Sequence, residues 1–171
     1  CAMLLHLPIG IDDFRKVRTG GYEYVDKTGL IRELLDRSGI EVVLLPRPRR
    51  FGKSLNLSML RYFFEKSKED RRSLFSGLQI EESKEVWEHF QKYPVIFLTL
   101  KDVKFSSWDD CLVKLKGLFS DLFTPYSTIQ EKLAPHEKEY FQKILFQTAS
   151  PVEMSNTFLF LAKQLSNYYQ E

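Results

Sequence analysis

The fold predicted for this chain depends on the stretch Ile40-Glu41-Val42-Val43-Leu44-Leu45-Pro46-Arg47-Pro48-Arg49-Arg50-Phe51-Gly52-Lys53-Ser54. Its first six residues are rich in leucine and β-branched side chains and lie between Gly39 and Pro46, which is typical of a strand buried on both faces. From about residue 53 to 65, apolar side chains recur at helical spacing. The stretch therefore predicts a strand, a turn and a helix in direct succession.

The turn ends in Gly52, Lys53 and Ser54, which are residue types that a phosphate-binding loop uses. Because Gly52 has no Cβ, the backbone there can approach a phosphate closely. We expect Lys53 to reach the β- and γ-phosphates of a nucleoside triphosphate and Ser54 to bind Mg²⁺. The pattern G-x-x-x-x-G-K-[ST] is broken by Arg47, and Pro48 lacks a backbone donor. The alternative interpretation is a basic turn that is hinged at Gly52 and surrounded by solvent.

The rest of the chain predicts a second buried strand and several amphipathic helices. The strand is the apolar run at 95–100, and a possible short strand lies at 22–25. The helices are predicted after a cap at Asp12 and at 28–37, 71–76, 83–90, 107–123, 136–146 and from Ser150 onward. Buried strands that alternate with amphipathic helices predict an α/β fold, in which helices cover both faces of a parallel sheet.

The composition predicts one soluble globular domain. The chain has 171 residues, of which 43% are hydrophobic and 28% are charged, and no apolar run approaches the roughly 20 residues of a membrane span. Two cysteines, Cys1 and Cys111, are typical of a reducing compartment and favour the cytoplasm. Since the chain begins with cysteine and its last helical pattern is still running at Glu171, we expect it to be the N-terminal part of a longer protein.

Positive charge is concentrated in the middle of the chain. Residues 47–72 contain nine basic and three acidic side chains, whereas the other residues contain 16 basic and 20 acidic ones. An anionic ligand is therefore expected to bind in this segment. Arg49 and Arg50 suit paired phosphate oxygens, although they could equally contact an acidic neighbouring segment or subunit.

Four segments together resemble the AAA-ATPase-like family of P-loop proteins, whose members often precede a nuclease-like domain of the PD-(D/E)XK type. They occur in the family's order at 7–14, 24–28, 47–60 and 93–98. The resemblance implies that residues 1–171 are the N-terminal portion of an AAA-ATPase-like P-loop domain with an NTPase-like parallel sheet. It also implies that Arg-Pro-Arg-Arg-Phe-Gly-Lys-Ser is the family's own form of the Walker A loop.

The resemblance further implies that ATP and Mg²⁺ are the cofactors. The nucleotide-binding residues would be Arg49, Arg50, Phe51, Gly52, Lys53, Ser54 and Leu55. Ser54 would also bind the metal, and Lys53 would stabilise charge on the phosphates during hydrolysis. The acidic Walker B strand is expected beyond Glu171, so hydrolysis is expected only in the complete protein. Asp102 is a poor substitute, because Lys101 beside it would oppose metal binding.

Three points stay open at the level of sequence. Residues 26–28 either cap the helix that follows them or lie near the nucleotide. The chain is either part of an ATPase or a nucleotide sensor that controls an attached nuclease-like domain without hydrolysis. A nucleic-acid-binding module that uses the basic 47–72 segment is the remaining alternative.

Overall fold

The computed structural model describes residues 7–37, 43–44, 46, 52–101, 103 and 106–169. Their α-helices are α1 (Phe14–Thr19), α2 (Gly29–Asp36), α3 (Lys53–Phe64), α4 (Trp108–Phe123), α5 (Pro135–Leu145), α6 (Pro151–Met154) and α7 (Thr157–Tyr169). Short 3₁₀ helices lie at Arg72–Phe75, Gln79–Glu82, Lys84–His89 and Thr124–Lys132.

The predicted parallel sheet is wrong, because no strand occurs among the described residues. Those residues form one isolated parallel bridge, between Glu65 and Tyr93. The second predicted strand, at 95–100, is irregular and ends at a 58% exposed Leu100. Of the first, only Val43 and Leu44 are described, and both are exposed. An apolar run becomes a strand only where another segment pairs with it at a spacing of about 4.8 Å, and composition alone does not supply that segment.

The described contacts divide the chain into two compact units, Cys1–Val95 and Ile96–Glu171. The core of the first unit is rich in aromatic side chains, and Phe63 lies at its centre. The Phe63 ring packs edge-on against Phe75 and Phe90, with centroid separations of 5.3 and 5.2 Å. The buried members of this core are Phe14, Ile31, Met59, Phe63, Leu74, Phe75, Leu78, Ile80, Val86 and Phe90.

Hydrogen bonds join α1 to α3 within the first unit. The N–H of Phe14 donates to Ser58 Oγ at 3.0 Å, and the hydroxyl of Tyr62 donates to Asp13 Oδ2 at 3.0 Å. Asp13 also caps α1 by accepting a hydrogen bond from the first turn, so the prediction that Asp12 is the cap is wrong. Ser58 and Tyr62 are four residues apart and share one face of α3, so these contacts fix that face of the helix against α1.

The second unit has its own core, whose buried members are Phe119, Phe123, Ile129, Phe141, Ile144, Ala149, Met154, Leu161 and Leu165. Its helix starts were predicted well from local signals. Ser107 caps α4, and Ser150 forms a capping box with Glu153 at the start of α6. The helix predicted to run on from Ser150 is interrupted, however, since α6 ends at Met154 and α7 begins at Thr157.

Candidate functional site

The N-terminal end of α3 carries the three residues of the predicted phosphate loop that the structure describes, Gly52, Lys53 and Ser54. Gly52 precedes the helix in the left-handed conformation, with φ of 73°. A Cβ built at Gly52 would meet no atom within 4 Å, so the space beside its backbone is open. Lys53 and Ser54 occupy the first turn and are exposed. Arg47, Arg49, Arg50 and Phe51 lie outside the described residues.

A cleft of about 450 Å³ adjoins this turn. Helix α3 contributes Lys53, Asn56 and Leu57 to its wall, and the other lining residues are Asp26, Lys27, Gly29, Leu30, Glu33, Val43 and Gln79. Lys53 makes no ion pair with any residue in the described part of the chain. Its ammonium group is therefore available to an anion that enters the cleft.

The Asp26 carboxylate organises another wall of the cleft. Its Oδ1 accepts hydrogen bonds from the backbone N–H and the hydroxyl of Thr28, at 2.8 and 2.6 Å, and its Oδ2 accepts one from the N–H of Gln79 at 2.6 Å. Burial acts to raise the pKa of Asp26, but the hydrogen bonds from Gln79 and Thr28 outweigh it and the pKa is lowered. Asp26 is thus an ionised group that fixes the start of α2 against the 3₁₀ helix Gln79–Glu82.

Residues 26–28 directly precede α2. Thr28 is fully buried and makes no side-chain capping bond to α2; its hydroxyl instead accepts a hydrogen bond from the N–H of Ile80 at 3.2 Å. Asp26 and Lys27 line the cleft that Lys53 also lines. Thr28 thus packs at the start of α2 without capping it, whereas Asp26 and Lys27 line the candidate site, and a position near the nucleotide stays a prediction.

Asn56 is a site residue that sequence reasoning did not identify. It is only 7% exposed, lines the cleft, and its side chain makes no hydrogen bond to any described residue. The available signal was its position three residues after Lys53, which places both on one face of a helix. Leu55, which the resemblance placed in the site, packs its side chain against the core of the first unit instead. A contact from Leu55 to a nucleotide would thus involve its backbone.

A family model described as Predicted AAA-ATPase matches residues 8–170. The chain belongs to this family. The family assignment made from the sequence is thus confirmed, and membership of a family of predicted ATPases indicates that the chain binds a nucleotide.

Among curated proteins, this family member is similar to one from Azotobacter chroococcum mcd 1, described as an uncharacterized protein in the vnfD 5′ region. The two are 42% identical over 91 residues, which make up 53% of this chain but only 16% of that protein. The chain thus spans a small part of its relative's length. No solved structure matches the chain.

The described residues of this AAA-ATPase family member contain no group of three or more His, Cys, Asp or Glu side chains that could hold a metal ion. A metal held mainly by Ser54 and by phosphate oxygens would need no such group. None of the described helices is long and apolar enough to cross a membrane.

Much of the basic segment is occupied by contacts within the chain. Arg61 and Arg71 both pair with Glu65, at 3.0 and 2.8 Å. The guanidinium of Arg72 lies 5.5 Å from the centroid of the Trp87 ring, within the range of a cation–π interaction. These three arginines are therefore less available to a nucleic acid than their number in the sequence indicates, and a nucleic-acid interface stays a prediction.

Proposed function

We propose that this chain binds a nucleoside triphosphate, with ATP as the expected ligand, at Gly52, Lys53 and Ser54 and in the adjoining cleft. The observation that carries the proposal is the position of Lys53, which lines a cleft of about 450 Å³ at the start of a helix preceded by a left-handed glycine. A cleft of this size is within the usual range for small-molecule sites.

The chemistry of the first turn of α3 suits phosphate. Backbone N–H groups at a helix N-terminus have no partner within the helix and carry partial positive charge. The open space at Gly52 lets phosphate oxygens come close to those groups, since no Cβ stands in the way. Lys53 adds a full positive charge, and the Ser54 hydroxyl is a suitable ligand for Mg²⁺ that is shared with the phosphates. Arg49, Arg50 and Phe51 complete the proposed nucleotide contacts.

For the complete protein we propose Mg²⁺-dependent hydrolysis of the β–γ phosphoanhydride. Lys53 would stabilise the negative charge that develops on the phosphate oxygens. The alternative is a nucleotide sensor, in which the same site binds the nucleotide without hydrolysis and controls an attached nuclease-like domain. Measuring phosphate release by the complete protein, with Mg²⁺ and with a chelator, separates a hydrolase from a sensor.

The binding site is tested by titrating ATP into the wild-type chain and into Lys53→Ala. Because a hydrogen bond between charged groups contributes about 1.5–3 kcal/mol, we expect the dissociation constant of the variant to rise roughly 10- to 100-fold. Isothermal titration calorimetry measures both constants.

The matched control is Lys114→Ala, since Lys114 is an exposed helical lysine in α4 and does not line the cleft. Its ATP affinity should equal that of the wild type. Equal ATP affinity in Lys53→Ala and the wild type would contradict the proposed site.

A further inference from the structure

Asn56 is a buried polar side chain whose hydrogen-bonding groups are not used within the described structure. It is 7% exposed, and neither its donors nor its acceptor is hydrogen-bonded to a described residue. Because the rest of the residue is buried, a hydrogen-bond partner for this carboxamide has to come from the cleft that Asn56 lines, either as solvent or as a ligand.

The position of Asn56 on α3 indicates which part of a ligand it would meet. It follows Lys53 by three residues, and both side chains line the same cleft. Side chains in an α-helix lean toward its N-terminus, so we expect the Asn56 carboxamide to lean toward the first turn, on the helix face that also carries Lys53. A group bound by Lys53 and by the first turn of α3 is therefore within reach of Asn56.

The chemistry of the carboxamide matches phosphate at that position. Its amide nitrogen carries two N–H donors, and it has no charge that would repel an anion. Of the two carboxylates that line the cleft, Glu33 is exposed, and Asp26 already has both of its oxygens occupied by N–H and O–H donors from Thr28 and Gln79. Asn56 is thus a cleft-lining group with unused donors next to the expected phosphate position.

We propose that Asn56 is a phosphate-binding residue, which donates a hydrogen bond from Nδ2 to a phosphoryl oxygen of the nucleotide held by Lys53. This inference rests on the proposed function of the cleft and adds a residue to it. The proposed hydrogen bond forms in the complex and replaces none within the fold, because Asn56 has no hydrogen-bond partner among the described residues.

The test is Asn56→Leu, which keeps a side chain of similar shape and removes the hydrogen-bonding groups. We expect the melting temperature of the free variant to equal or exceed that of the wild type, since no hydrogen bond to a described residue is lost. We expect the dissociation constants for ATP and for inorganic tripolyphosphate to rise about 10-fold or more, because a hydrogen bond to a charged group is lost. Asn56→Asp should weaken the binding of both ligands further, because a carboxylate repels phosphate.

The matched control is Gln164→Leu in α7. Gln164 is 4% exposed, but its Nε2 donates to Glu137 Oε1 at 2.9 Å, so its carboxamide is satisfied within the fold. This variant should lower the melting temperature and leave both affinities unchanged. A purely structural role for Asn56 predicts that Asn56→Leu would instead behave like this control, and that result would overturn the inference.

The other outcomes are distinguishable. If Lys53→Ala loses ATP affinity but Asn56→Leu binds both ligands like the wild type, the proposed site stands and the inference about Asn56 is wrong. If Asn56→Leu weakens ATP but not tripolyphosphate, Asn56 contacts the nucleoside and the assignment to phosphate is wrong. If the wild type binds neither ligand, or if Lys53→Ala and Asn56→Leu both bind like the wild type, the proposed function fails and the inference fails with it.

Discussion

Gly52 shows how one residue can serve both the backbone and the ligand. Its φ of 73° is in the left-handed region, where residues with a Cβ are strained, and the space that a Cβ would fill is empty. From the sequence, we expect the backbone at Gly52 to lie close to a phosphate. The open space at this position is compatible with that role. The left-handed conformation itself became visible only in the structure.

Substitutions of Gly52 separate the effect of the left-handed backbone on stability from the effect of the open space on phosphate binding. We expect Gly52→Ala to lower the free energy of unfolding by about 1 kcal/mol, and Gly52→Asn to lower it less, because asparagine tolerates the left-handed region better. Both variants should weaken ATP binding, since each places a Cβ in the space proposed for phosphate. Chemical denaturation and calorimetric titration measure the two effects.

Gly77 provides the control for backbone strain. Its φ is 74°, its missing Cβ would also meet nothing within 4 Å, and it does not line the cleft. Gly77→Ala should therefore destabilise the chain to a similar extent without changing ATP affinity. Wild-type ATP affinity in Gly52→Asn would show that phosphate does not occupy the space beside Gly52.

At the scale of elements, the short helix α6 depends on its capping box. Ser150 Oγ accepts a hydrogen bond from the N–H of Glu153 at 3.2 Å, and Glu153 Oε2 accepts one from the N–H of Ser150 at 2.8 Å. Lys143 Nζ adds an ion pair to Glu153 Oε1 at 3.1 Å. The hydrogen bond from the Ser150 backbone, followed by that from Lys143, lowers the pKa of Glu153 to about 2. The negative charge of Glu153 therefore links α5 to the start of α6.

This linkage predicts the direction of a pH effect. The pKa of Glu153 is lower in the folded chain than its ordinary value of 4.5, so its charge stabilises the fold above about pH 4.5 and this contribution is lost as the pH falls toward 2. Glu153→Gln removes that contribution. The melting temperature of the wild type should exceed that of the variant at pH 7, and the difference should shrink toward pH 2.

Glu139→Gln is the control for this experiment. Glu139 pairs with the same Lys143 at 3.3 Å but is 69% exposed, and surface pairs of this kind contribute little. The melting temperature of Glu139→Gln should follow that of the wild type at every pH between 7 and 2. A difference between the wild type and Glu153→Gln that does not change with pH would contradict the assigned role of the Glu153 charge.

At the scale of the whole molecule, each compact unit contains a hydrophobic core of its own. Phe63 and Phe141 are both fully buried, one in each core. Phe63→Ala and Phe141→Ala should each lower the free energy of unfolding by about 3–5 kcal/mol, through lost burial and the cavity that remains. Urea denaturation measures this loss, and Phe146→Ala serves as the control because Phe146 is 68% exposed. A change of under 1 kcal/mol at Phe63 or Phe141 would contradict the core assigned to that unit.

The sequence by itself determined the family, the helix that begins at Lys53, and the caps at Ser107 and Ser150. The helix and the two caps depend on residues within one or two turns of each other, where side-chain chemistry and periodicity act directly on the local backbone. The helix boundaries for α3 and α5 were accordingly predicted to within one residue.

Only the tertiary structure decided that the described residues form no sheet and that α2 and α3 line a common cleft. Pairing between strands, and a wall shared by Asp26, Lys53 and Gln79, depend on segments that are more than 20 residues apart in sequence. The same holds for Asn56, whose burial beside the cleft follows from where the surrounding segments lie. Local patterns show what a segment can form, but the free energy of packing against distant segments determines what it does form.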